Sequence, residues 1–473
     1  MKYDVVIIGS GLGGLACGSL LAEAGLRVCI LERSNQLGGC LQSYRREGLD
    51  YDTGLHYVGG LDEGGSLHEA FRRLHLLELP WQRMDGCFDH VLLGDRHYAL
   101  AQGFDRFTAT LSRDFPHQRE QLQRFADRIH RASMEDMEVS AWDYLHECFQ
   151  DEELIEVLGA TAMRVGLHRE SLPLFCLAHA LSSYIESSWR LRGSGNQIVE
   201  RLARTIREGG GELRCRHEVT GLRIADGRVE AVACSNGATI EAENIICDAH
   251  PELLARLLEG QPVRRSYLQR IRSGENTFGI FTLSLRLRPG VIPYFNHNAY
   301  VFRRGSDVWQ PEECGEEATA VMISCRVPED DSPFARQVDL LSPMSWSTCQ
   351  PWEATTVGHR GPDYERLCHT RSESCLQLAE RYLPGLSAAV ERSYTSSPLT
   401  YRDYLAAPQG SAFGLRKDWR RPLQTFLSVR TPLPNLFLTG QSLVLPGIEG
   451  TTQTALQTCS AILGETNNNK IQQ

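Results

Sequence analysis

Three glycines and one carboxylate near the N-terminus have the spacing of a phosphate cradle. Gly9, Gly11 and Gly14 stand in the order G-x-G-x-x-G, and Glu32 follows 18 residues after the last of them. The first glycine permits a tight turn, the second lets backbone amides approach a diphosphate, and the third lets a helix lie close on a strand. A helix opening on such a turn adds unpaired N–H groups and a partial positive charge. The Glu32 carboxylate can accept from both ribose hydroxyls and would repel a 2′-phosphate. The chemistry of this set is the binding of a dinucleotide.

The elements needed to position these residues are present around them. Lys2–Ile8 is a short run rich in valine and isoleucine, expected as a buried parallel strand. A helix is expected from about Leu12 to Ala24, ended by Gly25, and a second strand over Arg27–Leu31, with Glu32 at its end. Five residues later comes a second pair, Gly38-Gly39. This E-x5-G-G extension resembles the second phosphate-contacting loop of the FAD-binding oxidoreductases of the glutathione-reductase-like fold class.

Composition narrows the field. A chain of 473 residues has room for two to three domains and a large core. The formal net charge of -10, with no long basic run, argues against nucleic acid as a partner. The 15 cysteines are scattered, odd in number and without a C-x-x-C pair, which points away from a disulfide framework or zinc ribbon and towards a reducing cytoplasm. Cys17, Cys29 and Cys247 lie in apolar stretches and read as core residues. No secretory leader is expected, because the chain enters its first strand at once, and the longest apolar stretch outside the nucleotide site, Leu172–Ile185, is too short to span a bilayer.

Further along, Phe104 to Trp189 turns helical and charged, with amphipathic patterns in REQLQRFADRIHRA and EELIEVLGATAMRVGL. After Gly193-Ser194-Gly195 an amphipathic helix runs through Ile198, Leu202 and Ile206. A strand over Glu212–Arg216 and a meander over Val219–Ala225, Arg228–Cys234 and Ala238–Ala242 follow. Turns at Asp226-Gly227 and Asn236-Gly237 join its strands, and a last strand is expected over Asn244–Asp248. Beyond Pro251 the pattern weakens to strand-like pieces at Thr277–Arg286, Ala299–Arg303 and Ala318–Cys325 and a helix over Asp363–Tyr382. Trp309, Trp346 and Trp352 are expected mainly in core packing, and the end, ETNNNKIQQ, is expected to fray.

The order of these pieces resembles the FAD-dependent phytoene desaturase, carotenoid isomerase and retinol saturase family. Three blocks carry the resemblance: GSGLGG with ERSNQLGGCLQS, the segment GSGNQIVERLARTIREGGGELRCRHEVTGLRIADGRVEAVACSNGATIEAENIICDAHP, and NLFLTGQSLVLPGIEGTTQTALQTCSAILG. DTGLHYVGG at 52–60 and TYRDYLAAPQGSAFGLRKD at 400–418 resemble the saturase and isomerase branch. The resemblance implies an α/β fold with a glutathione-reductase-like (Rossmann-type) FAD-binding domain, discontinuous in sequence, and an inserted α+β substrate domain. The FAD domain would take residues 1–100, 190–250 and 424–473, and the substrate domain 101–189 and 251–423.

The resemblance also assigns residues. Gly9, Gly11 and Gly14 match the diphosphate loop, Glu32 the adenosine ribose ligand, and Gly38 and Gly39 the second phosphate loop. Val219 matches the position whose backbone holds the adenine edge, Gly440 and Gln441 the contact near the ribityl chain, and Gly450, Thr451 and Thr452 the helix start facing the flavin. Two positions depart from the pattern: Cys40 follows Gly39 where many relatives carry arginine, and Gln441 replaces the usual acidic residue.

The implied activity is FAD-dependent saturation, isomerisation or desaturation of a C=C bond in a long hydrophobic polyene, retinoid, carotenoid or lipid-like substrate, by hydride transfer at flavin N5. Saturation is the favoured direction, and needs one proton donor. His56, Tyr57 and Tyr401 are the candidates, with Tyr404 beside them. An amine oxidase-type flavoenzyme and a non-catalytic prenyl-binding protein, as in the Rab escort proteins of the same fold, stand as alternatives. The expected partners are a hydrophobic small molecule and an external electron donor or acceptor. No metal and no second nucleotide-binding motif are expected, and the location is read as cytoplasmic, with peripheral membrane contact at the tunnel mouth compatible with that substrate.

Overall fold

The computed structural model describes residues 2–166, 168–312 and 315–464; the polar end 465–473, expected to fray, lies outside the described residues. Tyr3–Ile8 and Val28–Leu31 carry apolar side chains on both faces, as strands covered on both sides require, and both sit inside a seven-stranded sheet. Its order is Glu212–Arg214, Val28–Leu31, Tyr3–Ile8, Thr239–Cys247, Arg228–Cys234 and Val219–Ala225, with Leu436–Leu438 pairing beside Thr239–Cys247. The pieces expected at Ala238–Ala242 and Asn244–Asp248 are one strand. Its first half closes the antiparallel meander and its second half runs parallel to Tyr3–Ile8.

Three helices cover one face of this sheet. Leu12–Glu23 is buried from Leu12 to Ala22 because it packs between Asn196–Glu208 and the C-terminal helix Gly447–Leu463. Asn196–Glu208 is amphipathic, and the stripe read from the sequence, Ile198, Leu202 and Ile206, faces the core.

A second sheet of seven strands stands apart from the first. Its order is Val390–Ser396, Gly279–Leu287, Gln337–Met344, Ala320–Cys325, Asn298–Phe302, Cys87–Leu93 and Arg96–Ala101. The period of two along these strands divides their side chains between two cores. Phe281, Val321, Ile323 and Leu340 pack beneath the helix Pro362–Glu380, whereas Ile280, Met322, Leu341 and Tyr300 face the helices between residues 104 and 186. Cys87–Leu93 pairs parallel with Asn298–Phe302, and Arg96–Ala101 pairs with Cys87–Leu93. Both of these strands lie at or before residue 101 in the chain and belong to the second sheet. Among the described residues no helix is long and apolar enough to cross a membrane.

A buried ion cluster ties the second sheet to the two-stranded hairpin of Ser43–Arg46 and Leu49–Asp52 and to the start of the helix Asn196–Glu208. Arg326 donates to Asp52 (2.8 Å) and Asp339 (3.2 Å). Asp52 also accepts from the Gly195 amide (2.9 Å) and Ser43 (2.7 Å), and Asp339 from Ser284 (2.6 Å). Removing the guanidinium strands two buried carboxylates. Arg326→Met is expected to lower unfolding free energy by about 3–5 kcal/mol in urea denaturation, and a loss below about 1 kcal/mol would show the cluster to be incidental.

Candidate functional site

In open α/β sheets, ligands sit beyond the carboxyl ends of the parallel strands. Here four such ends, at Ile8, Leu31-Glu32, Asp248 and Thr439, open on one cavity of about 980 Å³. Two helices also begin there, Leu12–Glu23 and Gly447–Leu463, and neither N-terminus is capped by a side chain. Their first-turn amides and partial positive charge lie at the same space, which suits a diphosphate at one point and developing negative charge at another.

Of the residues singled out from the sequence, Gly9, Gly11, Glu32, Gly38, Gly39, Val219, Gly440, Gln441 and Thr451 lie on the cavity wall. Gly14, Gly450 and Thr452 lie behind it and shape it. A Cβ on Gly14 would stand 2.4 Å from the Gly9 carbonyl oxygen, and one on Gly450 2.1 Å from that of Leu445. Thr452 is fully buried, with its hydroxyl on the Ile448 carbonyl (2.7 Å). Glu32 is held by Ser10, which donates from both its amide (3.1 Å) and its hydroxyl (2.6 Å), and by the Ser34 amide (2.8 Å). Gln441 donates to the Ala412 carbonyl at 3.3 Å, joining the loop before the helix Gly447–Leu463 to the segment that follows the helix Pro398–Leu405. Cys40 lines the cavity, and burial pushes its thiol up to about 11, so it is a neutral thiol there.

The same cavity continues into an apolar compartment between the second sheet and the helices, walled by Met163, Ile280, Met322, Leu341 and Phe413. His56, Tyr57 and Tyr401 all reach it, with the half-exposed Tyr404 at its rim. Burial lowers the His56 pKa, which keeps the imidazole neutral. Tyr57 is enclosed: its hydroxyl contacts Asp89 (2.9 Å), Tyr300 (2.7 Å) and Arg164. Tyr401, on the helix Pro398–Leu405, is buried with its hydroxyl beside Thr282 and close to Cys40, and burial raises that hydroxyl far above the ordinary range. It holds its proton throughout the neutral range. Trp309 is in the core, whereas Trp346 lines the cavity.

Several wall residues escaped the sequence reading. Ser10 fills an x position of the glycine motif, where residue type carries no signal. Asp248, at the end of the central strand, lies against the glycine turn, and its carboxyl receives the Gly11 and Gly14 amides while burial raises it to about 7. Its place at a strand's carboxyl end was a usable signal. Arg164 was read as part of a continuous amphipathic helix, but the helix Glu152–Ala160 gives way to a tighter turn over Thr161–Val165 that aims Arg164 inward.

The sequence model of a family described as flavin containing amine oxidoreductase matches residues 12–463. The all-trans-retinol 13,14-reductase of Macaca fascicularis is 26% identical over 526 residues, covering 98% of this chain and 86% of that protein. The chloroplastic prolycopene isomerase of Daucus carota is 22% identical over 481 residues, covering 93% and 76%. An oxidoreductase from Methanosarcina mazei has a similar structure, with a TM-score of 0.68 at 16% identity over 97% of this chain and 99% of that one.

Proposed function

Because the chain belongs to the flavin-containing amine oxidoreductase family, we propose that it is an FAD-dependent enzyme that reduces a C=C bond of a long apolar polyene. The observation that carries this reading is the continuity of one cavity from the glycine turn to the apolar compartment. The wall fits FAD: the amides of the Leu12 helix would take the diphosphate, Glu32 the ribose, and the start of the Gly447 helix the flavin end. Bound FAD supplies a two-electron donor and acceptor. The protein's own part is to exclude water with Met163, Ile280, Met322 and Leu341, to lay the chain flat, and to deliver one proton.

Tyr401 is the proton donor in this account: it lines the cavity, and burial preserves its O–H. Tyr57 is instead held in place by Asp89, Tyr300 and Arg164. The similarity to retinol reductases and prolycopene isomerases supports a polyene substrate. Such a substrate partitions into lipid, and we infer a cytoplasmic protein whose cavity rim, at Tyr404, meets a membrane surface. The test is anaerobic reduction of the purified protein, addition of one polyene at a time, and mass analysis of the product. A gain of two hydrogens identifies reduction, an unchanged mass with altered geometry identifies isomerisation, and peroxide release with amines would replace the reading altogether.

Asp248 makes FAD affinity depend on pH. Protonated, it presents no charge to the diphosphate; ionised, it repels it and holds the Gly11 amide. With a pKa near 7 in the protein, affinity is highest below that pH and weakens as pH rises, by up to about tenfold per unit for one proton. FAD titration of apoprotein from pH 6 to 8.5 reads this out. Asp248→Asn is expected to flatten the profile, and an unchanged slope in that variant contradicts the assignment.

A further inference from the structure

The helix Arg265–Arg272 lies on the surface and buries a single residue, Ile271. Its first turn holds no acidic side chain. Arg264 and Arg265 stand there instead, both exposed and with no ion-pair partner among the described residues. A helix N-terminus carries a partial positive charge, so arginines there cost stability rather than add to it. The fold gains nothing from them. The same helix carries Arg272 and Arg270, and Arg270 borders one shallow cleft with Arg416, Arg420 and Arg421 of a neighbouring loop. Arg272, Arg416, Arg420 and Arg421 pair with Glu259, Glu275 and Asp418, and Glu170 lies near Arg420. Seven arginines thus meet four carboxylates, on a chain whose net charge is -10. Beside them Leu423, on the short helix Pro422–Thr425, is 83% exposed.

This basic face backs onto the cavity. Leu415 is the layer between them. Its side chain fills the space beside Gly274 in the cleft, 2.9 Å from where a Cβ on that glycine would stand, and its amide donates to the Ser442 hydroxyl (3.4 Å). Ser442 lines the cavity beside Gln441, which the FAD reading places near the ribityl chain. Hydride transfer requires the two reacting atoms to touch, so a hydride donor seated on this face could not reach the flavin. An electron crosses a layer one residue thick.

We propose that this face docks a small acidic protein that carries one electron at a time, and that such a carrier is the reductant. This inference rests on the FAD reading above. Reduction of one C=C bond consumes two electrons and two protons: two carriers are each oxidised by one electron, and water supplies the protons. Charge complementarity steers the encounter, and Leu423 offers an apolar anchor of the kind that interfaces bury at their core. The helix, about 12 Å long, and the adjoining loop fit within the roughly 800 Å² per partner of a specific interface.

The test uses an acidic [2Fe–2S] ferredoxin as the carrier. Titration of the FAD-loaded protein with oxidised ferredoxin reads the complex itself, and anaerobic mixing with reduced ferredoxin reads the bleaching of the flavin bands. Binding and bleaching rate are both expected to fall at least about tenfold between roughly 0.05 and 0.5 M salt, with two ferredoxins consumed per flavin. Arg264→Glu with Arg265→Glu places carboxylates where the helix dipole favours them, which keeps the fold. That variant is expected to lose about 10- to 100-fold in both readings, while dithionite reduces it at the native rate. Native-like binding and bleaching in the variant, or bleaching indifferent to salt, overturns the docking face. Binding of the native protein to vesicles of anionic lipid, lost in the variant and accompanied by no response to ferredoxin, overturns it in favour of a membrane. A flavin that dithionite reduces and ferredoxin does not overturns the carrier and leaves the FAD reading standing. A protein that takes up no flavin overturns both.

Discussion

Gly14→Val is expected to yield a protein without flavin colour. A side chain at residue 14 begins with a Cβ 2.4 Å from the Gly9 carbonyl oxygen and 3.0 Å from the Asp248 carboxylate. The first of these is backbone and cannot swing away. Relief requires the Leu12–Glu23 helix to lift from Tyr3–Ile8, which carries its N-terminal amides away from the diphosphate and opens the contact with Asn196–Glu208 and Gly447–Leu463. Overpacking of this kind costs about 1–3 kcal/mol for a single methylene, and valine adds three carbons, so FAD affinity is expected to fall by roughly a thousandfold or more. Flavin content of the purified variant, before and after incubation with FAD, measures it. Gly221→Ala is the matched control: its Cβ would meet only Ala233, at 3.8 Å, and flavin content stays at the native level. A Gly14→Val protein with native flavin content would show that the helix does not carry the diphosphate.

Tyr401→Phe is expected to slow polyene reduction by about 100- to 1,000-fold, the range for loss of a positioned general acid, while flavin content and fold are kept. The ring stays, so the apolar wall is unchanged, and only the O–H is lost. Tyr57→Phe is the informative contrast. Its hydroxyl serves Asp89 and Arg164, so its removal leaves buried groups unsatisfied and acts on stability, by about 1–3 kcal/mol. Single-turnover rates of the pre-reduced variants separate the two. A Tyr401→Phe rate within a few-fold of native would pass the role to His56, whose neutral ring shares the cavity.

The two halves of the molecule were unequally legible. The nucleotide half could be read because its residues are forced: turn glycines, a βαβ period and an acidic strand end leave few alternatives. The second sheet was harder. Gln337–Met344 went unread because all eight residues are buried, so no alternation appears, and because Asp339 and Pro343 are unusual in a central strand. Asp339 is tolerated only through Arg326 and Ser284, partners far away in sequence. Cys87–Leu93 pairs with Asn298–Phe302 across some two hundred residues, a relation that no local pattern encodes. Arg164 failed for a related reason: an arginine in an amphipathic run reads as solvent-facing until Gly166, at φ +78°, is seen to end the turn that redirects it.

The central claim is that flavin and polyene share one cavity and exchange electrons there. Its most direct test is anaerobic: the protein is reduced with one equivalent of dithionite, all-trans-retinol is added, and the visible flavin absorption is followed. The account predicts that the oxidised flavin bands return with one dihydro product formed per flavin. A flavin that stays reduced, with the polyene recovered unchanged, would contradict it.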